Sequence, residues 1–212
     1  MEKLKEQIQS IVDIYKSGNL SEAEFLTGQL INNNPKVVFL YNLLGLILSE
    51  QKKDDQAMKY YEKGINIDPT YGMIYNNIGL LFYKHKTAGN IKKAESLYKK
   101  AISLDETITE AHNNLGNLYD YLDKIKDAIY CYKRAIDINP KFSYAHHNLG
   151  SAYVAIGKFS KAKKHFRESI KLNPSFTVTH RSLSRITKYT DNDEHFIELK
   201  KIYENVDIND SE

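Results

Sequence analysis

The chain has little of several things that would steer its reading elsewhere. Of its 212 residues none is tryptophan, one is cysteine and four are proline. The lone Cys131 cannot form an internal disulfide, so the fold does not depend on an oxidising compartment. No stretch approaches the ~18 uninterrupted apolar residues of a membrane-spanning helix. The start, Met1-Glu-Lys-Leu-Lys-Glu6, has charges with no apolar run after them, so no secretory leader is visible. An excess of one charge is also missing. Thirty basic against 27 acidic residues leave +3, too weak to argue for nucleic acid or a membrane as partner. A cytoplasmic location is the expectation.

Catalytic signatures are equally scarce. There is no His-Glu-x-x-His, no paired Cys-x-x-Cys and no Gly-x-Ser-x-Gly. Gly150 to Gly157-Lys158 departs from a phosphate-binding loop, with six residues between the glycines instead of four and Phe159 where a hydroxyl would hold magnesium. Carboxylates are scattered, so no acid/base pair stands out. The chain by itself is not expected to be an enzyme or to hold a cofactor.

What is present is regular spacing. The prolines Pro35, Pro69, Pro140 and Pro174 are separated by 34, 71 and 34 residues. Gly45, Gly79, Gly116 and Gly150 are separated by 34, 37 and 34, and Ala57, Ala94, Ala128 and Ala162 by 37, 34 and 34. Three residue types report one period, with one three-residue insertion between Gly79 and Ala94. A 34-residue period implies a stack of like units instead of a globule around one centre. Hydrophobic content of 42% suffices to fill such a stack.

Five units follow, at 4–37, 38–71, 72–108, 109–142 and 143–176, each holding two helical patterns. In the fifth the first helix is predicted over Ser143–Ala155 and the second over Phe159–Leu172, where Ala162, Phe166 and Ile170 recur at i, i+4 and i+8. Ile156-Gly157-Lys158 forms the turn between them, and Asn173-Pro174 stops the second. Gly150 and Ala162 are small where the two helices cross. Tyr61, Tyr98, Tyr132 and Phe166 are expected to fill the space between neighbouring units.

These units resemble tetratricopeptide repeats. The best matches are Tyr41-Asn-Leu-Leu44-Gly45 through Pro69, His112-Asn-Asn-Leu115-Gly116 through Pro140, and His146-His-Asn-Leu149-Gly150 through Pro174. The resemblance covers residues 4–176. It implies an all-α, right-handed superhelical solenoid of antiparallel helix pairs with a concave groove that binds protein. Two units depart from the pattern. The first carries Ile11 in place of the glycine, and the third has Glu106 in place of proline and an extended turn over Lys84-His-Lys-Thr-Ala-Gly-Asn90. Thr107 and Glu110 are predicted to form a capping box that starts the fourth unit. After 176 the repeat fails. A capping helix is predicted over 177–189 and a closing helix over 192–204, with Asp191 and Glu194 as its capping box and 205–212 as a frayed tail.

His112, His146 and His180 recur 34 residues apart. Stacked helices lie roughly 8–10 Å apart, too far for three imidazoles to reach one zinc at about 2 Å. The three occupy a position where the family usually places a large aromatic, so no metal is expected.

The resemblance places the residue two before each repeat glycine in the groove. These are Leu43, Asn77, Asn114 and Asn148, with Ser182 at the cap. Such a ladder of amides is similar to the asparagines lining the repeats of O-linked N-acetylglucosamine transferase, and amides offer both donor and acceptor to a peptide backbone. Neighbouring groove positions add Asn76, Asn113, Asn117, Tyr83, Asp120 and Tyr121, while Phe39, Leu43 and Leu46 make the N-terminal end apolar. Arg181, Arg185 and Lys188, at i, i+4 and i+7, form one cationic face suited to a carboxylate-bearing segment. The expected partner is thus a protein or extended peptide. Self-association is a second option. A third comes from His180 to Leu199, which resembles the junction joining such repeats to a sulfotransferase domain in bacterial proteins. That resemblance would make the chain the substrate-recruiting part of a larger enzyme, inactive alone.

Overall fold

A computed structural model describes residues 2–190 and 193–204. All regular structure among these residues is α-helical. The helices are α1 (Glu2–Lys16), α2 (Leu20–Asn33), α3 (Val38–Glu50), α4 (Asp54–Ile67), α5 (Gly72–His85), α6 (Ala88–Leu104), α7 (Thr109–Tyr121), α8 (Ile125–Ile138), α9 (Ser143–Ala155), α10 (Phe159–Leu172), α11 (Thr177–Ile186) and α12 (Glu194–Glu204). Both helices predicted for the fifth unit appear at their predicted bounds. The chain divides into two compact units, one up to Leu118 and one from Tyr119 onward.

Each turn inside a repeat carries one residue in the left-handed region. These are Gly18, Lys52, Lys86, Asp123 and Gly157, with φ of 87°, 64°, 48°, 58° and 69°. They stand 34, 34, 37 and 34 residues apart, and each lies two residues before the next helix. Three of the five are not glycine, so Lys52, Lys86 and Asp123 bear a steric cost of about 1 kcal/mol each.

This register relocates the insertion. The extended turn expected over 84–90 is not there, because α5 runs to His85 and only Lys86 and Thr87 link it to α6. Thr87 caps α6 by accepting from Asn90 N at 3.3 Å. The three extra residues are wound into α6, which is 17 residues long where α4 has 14. A helical turn satisfies its own backbone groups, whereas an added loop would leave them to water.

The predicted capping box at Thr107 is also replaced. Asp105 Oδ1 accepts from Thr107 N at 2.9 Å and from Thr107 Oγ1 at 2.6 Å. The same turn is made by Asp68 with Thr70, and Asn139 Oδ1 accepts from Lys141 N at 3.0 Å. An Asp or Asn side chain fixes this corner by itself, so Glu106 can stand where other units have proline.

In the first unit Leu40, Leu44, Ile47, Leu48, Ala57, Tyr61 and Ile74 belong to one buried cluster. In the second, Ala128, Tyr132, Leu149, Ala152, Ala162, Phe166 and Leu183 form another. The recurring aromatics sit in clusters shared with neighbouring repeats, Tyr61 with Ile74 and Leu81 and Phe166 with Tyr132 and Leu183, and they also pack within their own repeat. The rings of Tyr61, Tyr98 and Phe166 lie on the glycine of their own repeat. A Cβ on Gly45 would collide with the Tyr61 ring, one on Gly79 would stand 2.7 Å from Tyr98, and one on Gly150 would stand 2.7 Å from Phe166.

Helix α11 is shorter than predicted, ending at Ile186 with Thr187 extended. That bend lets Tyr189 turn back, its Oη donating to Ser184 Oγ at 3.0 Å. Asp193 Oδ1 caps α12, accepting from His195 N at 3.0 Å and Phe196 N at 3.4 Å. The capping box at Asp191 and the tail 205–212 lie outside the described residues.

Candidate functional site

The recurring histidines have a structural task shared with two tyrosines. Tyr41 Oη donates to Pro35 O at 3.0 Å and Tyr75 Oη to Pro69 O at 2.9 Å. At the equivalent place the Nε2 of His112, His146 and His180 binds the carbonyls of Glu106, Pro140 and Pro174 at 3.0, 3.0 and 2.8 Å. A carbonyl only accepts, so each ring holds its proton on Nε2. A neutral imidazole so bonded presents Nδ1 as an acceptor, which tyrosine does not do.

In the second unit that extra nitrogen meets another histidine. His146 Nδ1 lies 3.2 Å from His165 Nδ1, and His180 Nδ1 lies 3.0 Å from His195 Nε2. Tyr189 Oη stands 2.6 Å from His195 Nδ1. Burial above all, then the charge of His146 and of Lys164 and Lys133 against that of Glu168, pushes His165 down to about 4. His165 is therefore neutral near pH 7 and donates to His146. His147 is pushed down by burial, with Thr179 Oγ1 3.0 Å from its Nδ1. Among the described residues no group of three or more His, Cys, Asp or Glu is placed to hold a metal.

The amides expected to face a ligand divide by unit. In the first unit Asn114 Nδ2 donates to Asn76 Oδ1 at 3.0 Å, Asn76 Nδ2 to Asn77 Oδ1 at 3.0 Å, and Asn77 Nδ2 to Asn42 Oδ1 at 2.9 Å. The asparagines of α3, α5 and α7 thus form one chain of side-chain bonds. Asn42, Asn76, Asn77 and Asn113 are buried, while Asn114 and Asn117 are half-buried. Asn77 both accepts and donates inside this chain, and Asn114 gives one of its donors to it. Tyr83 Oη donates to Asn117 O at 3.1 Å. Lys84 Nζ donates to Ser49 O at 3.1 Å and Ser49 Oγ at 2.7 Å, and lies 3.4 Å from Asp54 Oδ1.

Sequence reasoning missed Asn42, although the signal was present. Asn42, Asn76 and Asn113 are separated by 34 and 37 residues, so Asn42 occupies the same register as two positions that were identified.

In the second unit Asn148 is half-buried on α9, and Tyr121, Arg181, Arg185 and Lys188 are exposed. Arg181 and Arg185 share a face of α11, which carries no acidic residue. Lys188 falls past the end of that helix, so the cationic face holds two residues of the three expected. Asp120 is exposed as a residue, yet partial burial of its carboxyl, followed by the charge of Asp123, pushes that carboxyl up. Sequence reasoning also missed Tyr144, which is 51% exposed with its ring 4.9 Å from that of Phe176. Tyr144 stands 105 residues after Phe39, one 37 and two 34s, and so in its register.

Comparison with known proteins agrees with this architecture. Tetratricopeptide-repeat models match residues 34–86, 73–108, 109–142 and 143–176. The uncharacterized protein ycf37 of Pyropia yezoensis is 33% identical over 80 residues, which are 38% of this chain and 43% of that protein. The chain thus spans less than half the length of this relative. TTC0263, a thermophilic TPR protein in Thermus thermophilus, superposes with a TM-score of 0.73 at 16% identity, covering 86% of this chain and 98% of that one. YrrB, a TPR protein with an unusual peptide-binding site, gives 0.54 at 17% identity, covering 83% and 89%. MamA gives 0.55 at 21% identity, covering 84% and 95%. At such identities these structures share the fold. With its 34-residue register, helix pairs and glycine-on-ring packing, the chain belongs to the tetratricopeptide-repeat family.

Proposed function

We propose that the chain is a binding scaffold that holds a protein or an extended peptide against the faces of its first helices, with no chemistry of its own. The carrying observation is the amide chain of the first unit, Asn114 to Asn76 to Asn77 to Asn42. Helices that merely pack have no need of four linked amides, since burying polar groups gains little over burying apolar ones. Such a chain holds several amides at fixed orientation beside a surface where a peptide backbone can use what they have left. In the second unit Asn148, Tyr121 and Tyr144 supply adaptable polar and aromatic contacts, and Arg181, Arg185 and Lys188 favour a carboxylate-bearing segment. The peptide-binding site of the similarly folded YrrB lends support. Among the described residues no helix is long and apolar enough to cross a membrane.

The test is selection of twelve-residue peptides from a random display library on the full chain. An enriched peptide, synthesised with a fluorescent label, should bind in an anisotropy titration. It should lose affinity when Asn113 and Asn117, or Arg181 and Arg185, are changed in variants that remain helical. Failure to enrich any peptide over a scrambled-bead control would overturn this reading.

A further inference from the structure

The near balance of charge over the whole chain does not hold locally. Residues 138–190 carry ten basic residues and a single acid, Glu168. The excess is concentrated on α10, where Lys158 at the N-cap is followed by Lys161, Lys164, Arg167 and Lys171. Steps of three, three and four residues put the last four on one face of the helix, over a length of about 15 Å. All five are exposed. Other repeats fill the same places with Phe25 and Gly28 in α2, Glu62 in α4, Ser96 and Ser103 in α6, and Asp127 and Tyr130 in α8. The packing of the repeat therefore asks for no cation there.

This row works against its own helix. Lys158 and Lys161 bring positive charge to the end where the helix dipole is positive, and the first turn has no acidic residue to offset them. Lys161 with Lys164, Lys164 with Arg167, and Arg167 with Lys171 are like-charged neighbours at i+3 or i+4, which destabilise a helix. Internal acids relieve little of this. Of the five cations only Lys171 has a carboxylate within reach among the described residues, Glu168 at 3.9 Å, while Lys161 stands 5.7 Å over the Tyr153 ring. In the first unit, by contrast, Lys53 reaches Glu24 at 2.9 Å and Lys99 reaches Glu95 at 2.7 Å. At the start of α10 the cations adjoin two bare apolar side chains, Ile156 at 40% and Phe159 at 50% exposure. A surface that costs its own helix stability and is left unpaired suits a partner that brings the opposite charge.

We propose that the outward face of α10 docks on an anionic lipid bilayer, with its lysines and Arg167 over the headgroup phosphates and Ile156 and Phe159 entering the acyl boundary beside them. Two features favour a bilayer over nucleic acid. Four of the five cations are lysine, a point charge that asks for no fixed phosphate geometry, whereas nucleic-acid recognition favours the planar fork of arginine. An aliphatic side chain such as Ile156 gains nothing from a phosphate backbone but does gain from the headgroup and acyl boundary. The attachment is peripheral. It uses a second helix, so it is separate from the first-helix faces of the peptide-binding reading above and does not depend on it.

The test is co-sedimentation of the full chain with vesicles of phosphatidylglycerol and phosphatidylcholine in equal parts, and with vesicles of phosphatidylcholine alone. Binding is expected to the first and not to the second, and it should weaken as salt is raised. Lys164→Gln combined with Arg167→Gln should weaken it about tenfold or more, because each cation near an anionic surface contributes severalfold. Phe159→Ser should weaken it about fivefold through the lost apolar contact. Lys92→Gln with Lys93→Gln, exposed on α6, should leave it unchanged. The Lys164, Arg167 variant relieves like-charge repulsion at exposed positions, so its circular dichroism and melting temperature should match or exceed those of the parent. Absence of binding to the anionic vesicles, equal binding to both kinds, or full binding by the folded Lys164, Arg167 variant would overturn the assignment. So would tighter binding of a single-stranded oligonucleotide than of anionic vesicles, lost in the same variant, which would make this face a nucleic-acid surface. None of these outcomes bears on peptide capture by the first helices, which the display selection tests by itself.

Discussion

The two units build the same repeat from different chemistry. Up to Leu118 the bond to the carbonyl six residues back is made twice by tyrosine and once by His112, and linked asparagines occupy the faces of the first helices. From Tyr119 onward histidines make that bond at 146 and 180, and each brings a second histidine to its spare nitrogen. Five of the seven histidines lie in the second unit. Backbone geometry tolerates either solution because only one donor is needed at that point. The consequence lies in the response to pH, because the second unit buries His165, an imidazole that burial pushes down to about 4.

The largest expected effect tests what the units share. Gly45→Ala in the first and Gly150→Ala in the second drive a Cβ into Tyr61 and Phe166, rings that cannot move because they are fully buried. Each should lose about 2 kcal/mol, overpacking outweighing the better helix propensity of alanine. Chemical denaturation followed by circular dichroism measures it, and equal losses in both would mark the glycine–ring contact as common to both units.

The next prediction separates them. His165 has its folded value depressed to about 4, so its stabilising contribution is complete above the unfolded value near 6.5 and is lost as pH falls from there toward 4. Discounted for its half-exposed position, the loss should reach about 1–2 kcal/mol. Hydrogen exchange followed by mass spectrometry at pH 7 and pH 5 should therefore show weakening in peptides from α9 and α10 before those from α3 and α4. Equal weakening in both would remove the distinction.

A smaller effect exchanges the units' own solutions. Tyr98 in the first unit has a buried hydroxyl with no partner among the described residues, where the second unit has Phe166 at the corresponding place. Tyr98→Phe should gain about 1 kcal/mol by removing an unsatisfied polar group, read as a higher melting temperature. The smallest concerns the turns. Gly18 in the first unit and Gly157 in the second already occupy the left-handed position, so extending that solution to another turn through Lys86→Gly should gain about 0.5–1 kcal/mol. Destabilisation would show that the Lys86 side chain contributes more than its backbone strain costs.

Much of this was legible in the residues. Period, helix bounds and turn positions follow from local rules, because Gly, Pro and apolar spacing act within one or two turns of helix. The candidate surface was legible as far as register goes, which placed Asn76, Asn77 and Asn114 together and, applied one unit further back, would have included Asn42. Bond direction was not. Whether an amide faces a ligand or its neighbour depends on atoms 35 to 38 residues away in sequence, as between Asn77 and Asn42 or Asn114 and Asn76. Lys188 was misassigned to the helix face because the end of α11 is set by contacts of Tyr189 with Ser184 and His195.

The repeat, the family and the places where most helices begin and end were all written in short-range residue spacing, which any stretch of chain carries with it. Contacts between helices settled the rest. They wound three inserted residues into α6, laid Tyr61, Tyr98 and Phe166 on glycines of their own repeat, and linked the asparagines of α3, α5 and α7 side chain to side chain. Those outcomes depend on side chains meeting across helices, where one hydrogen bond already made removes the atom from every other use.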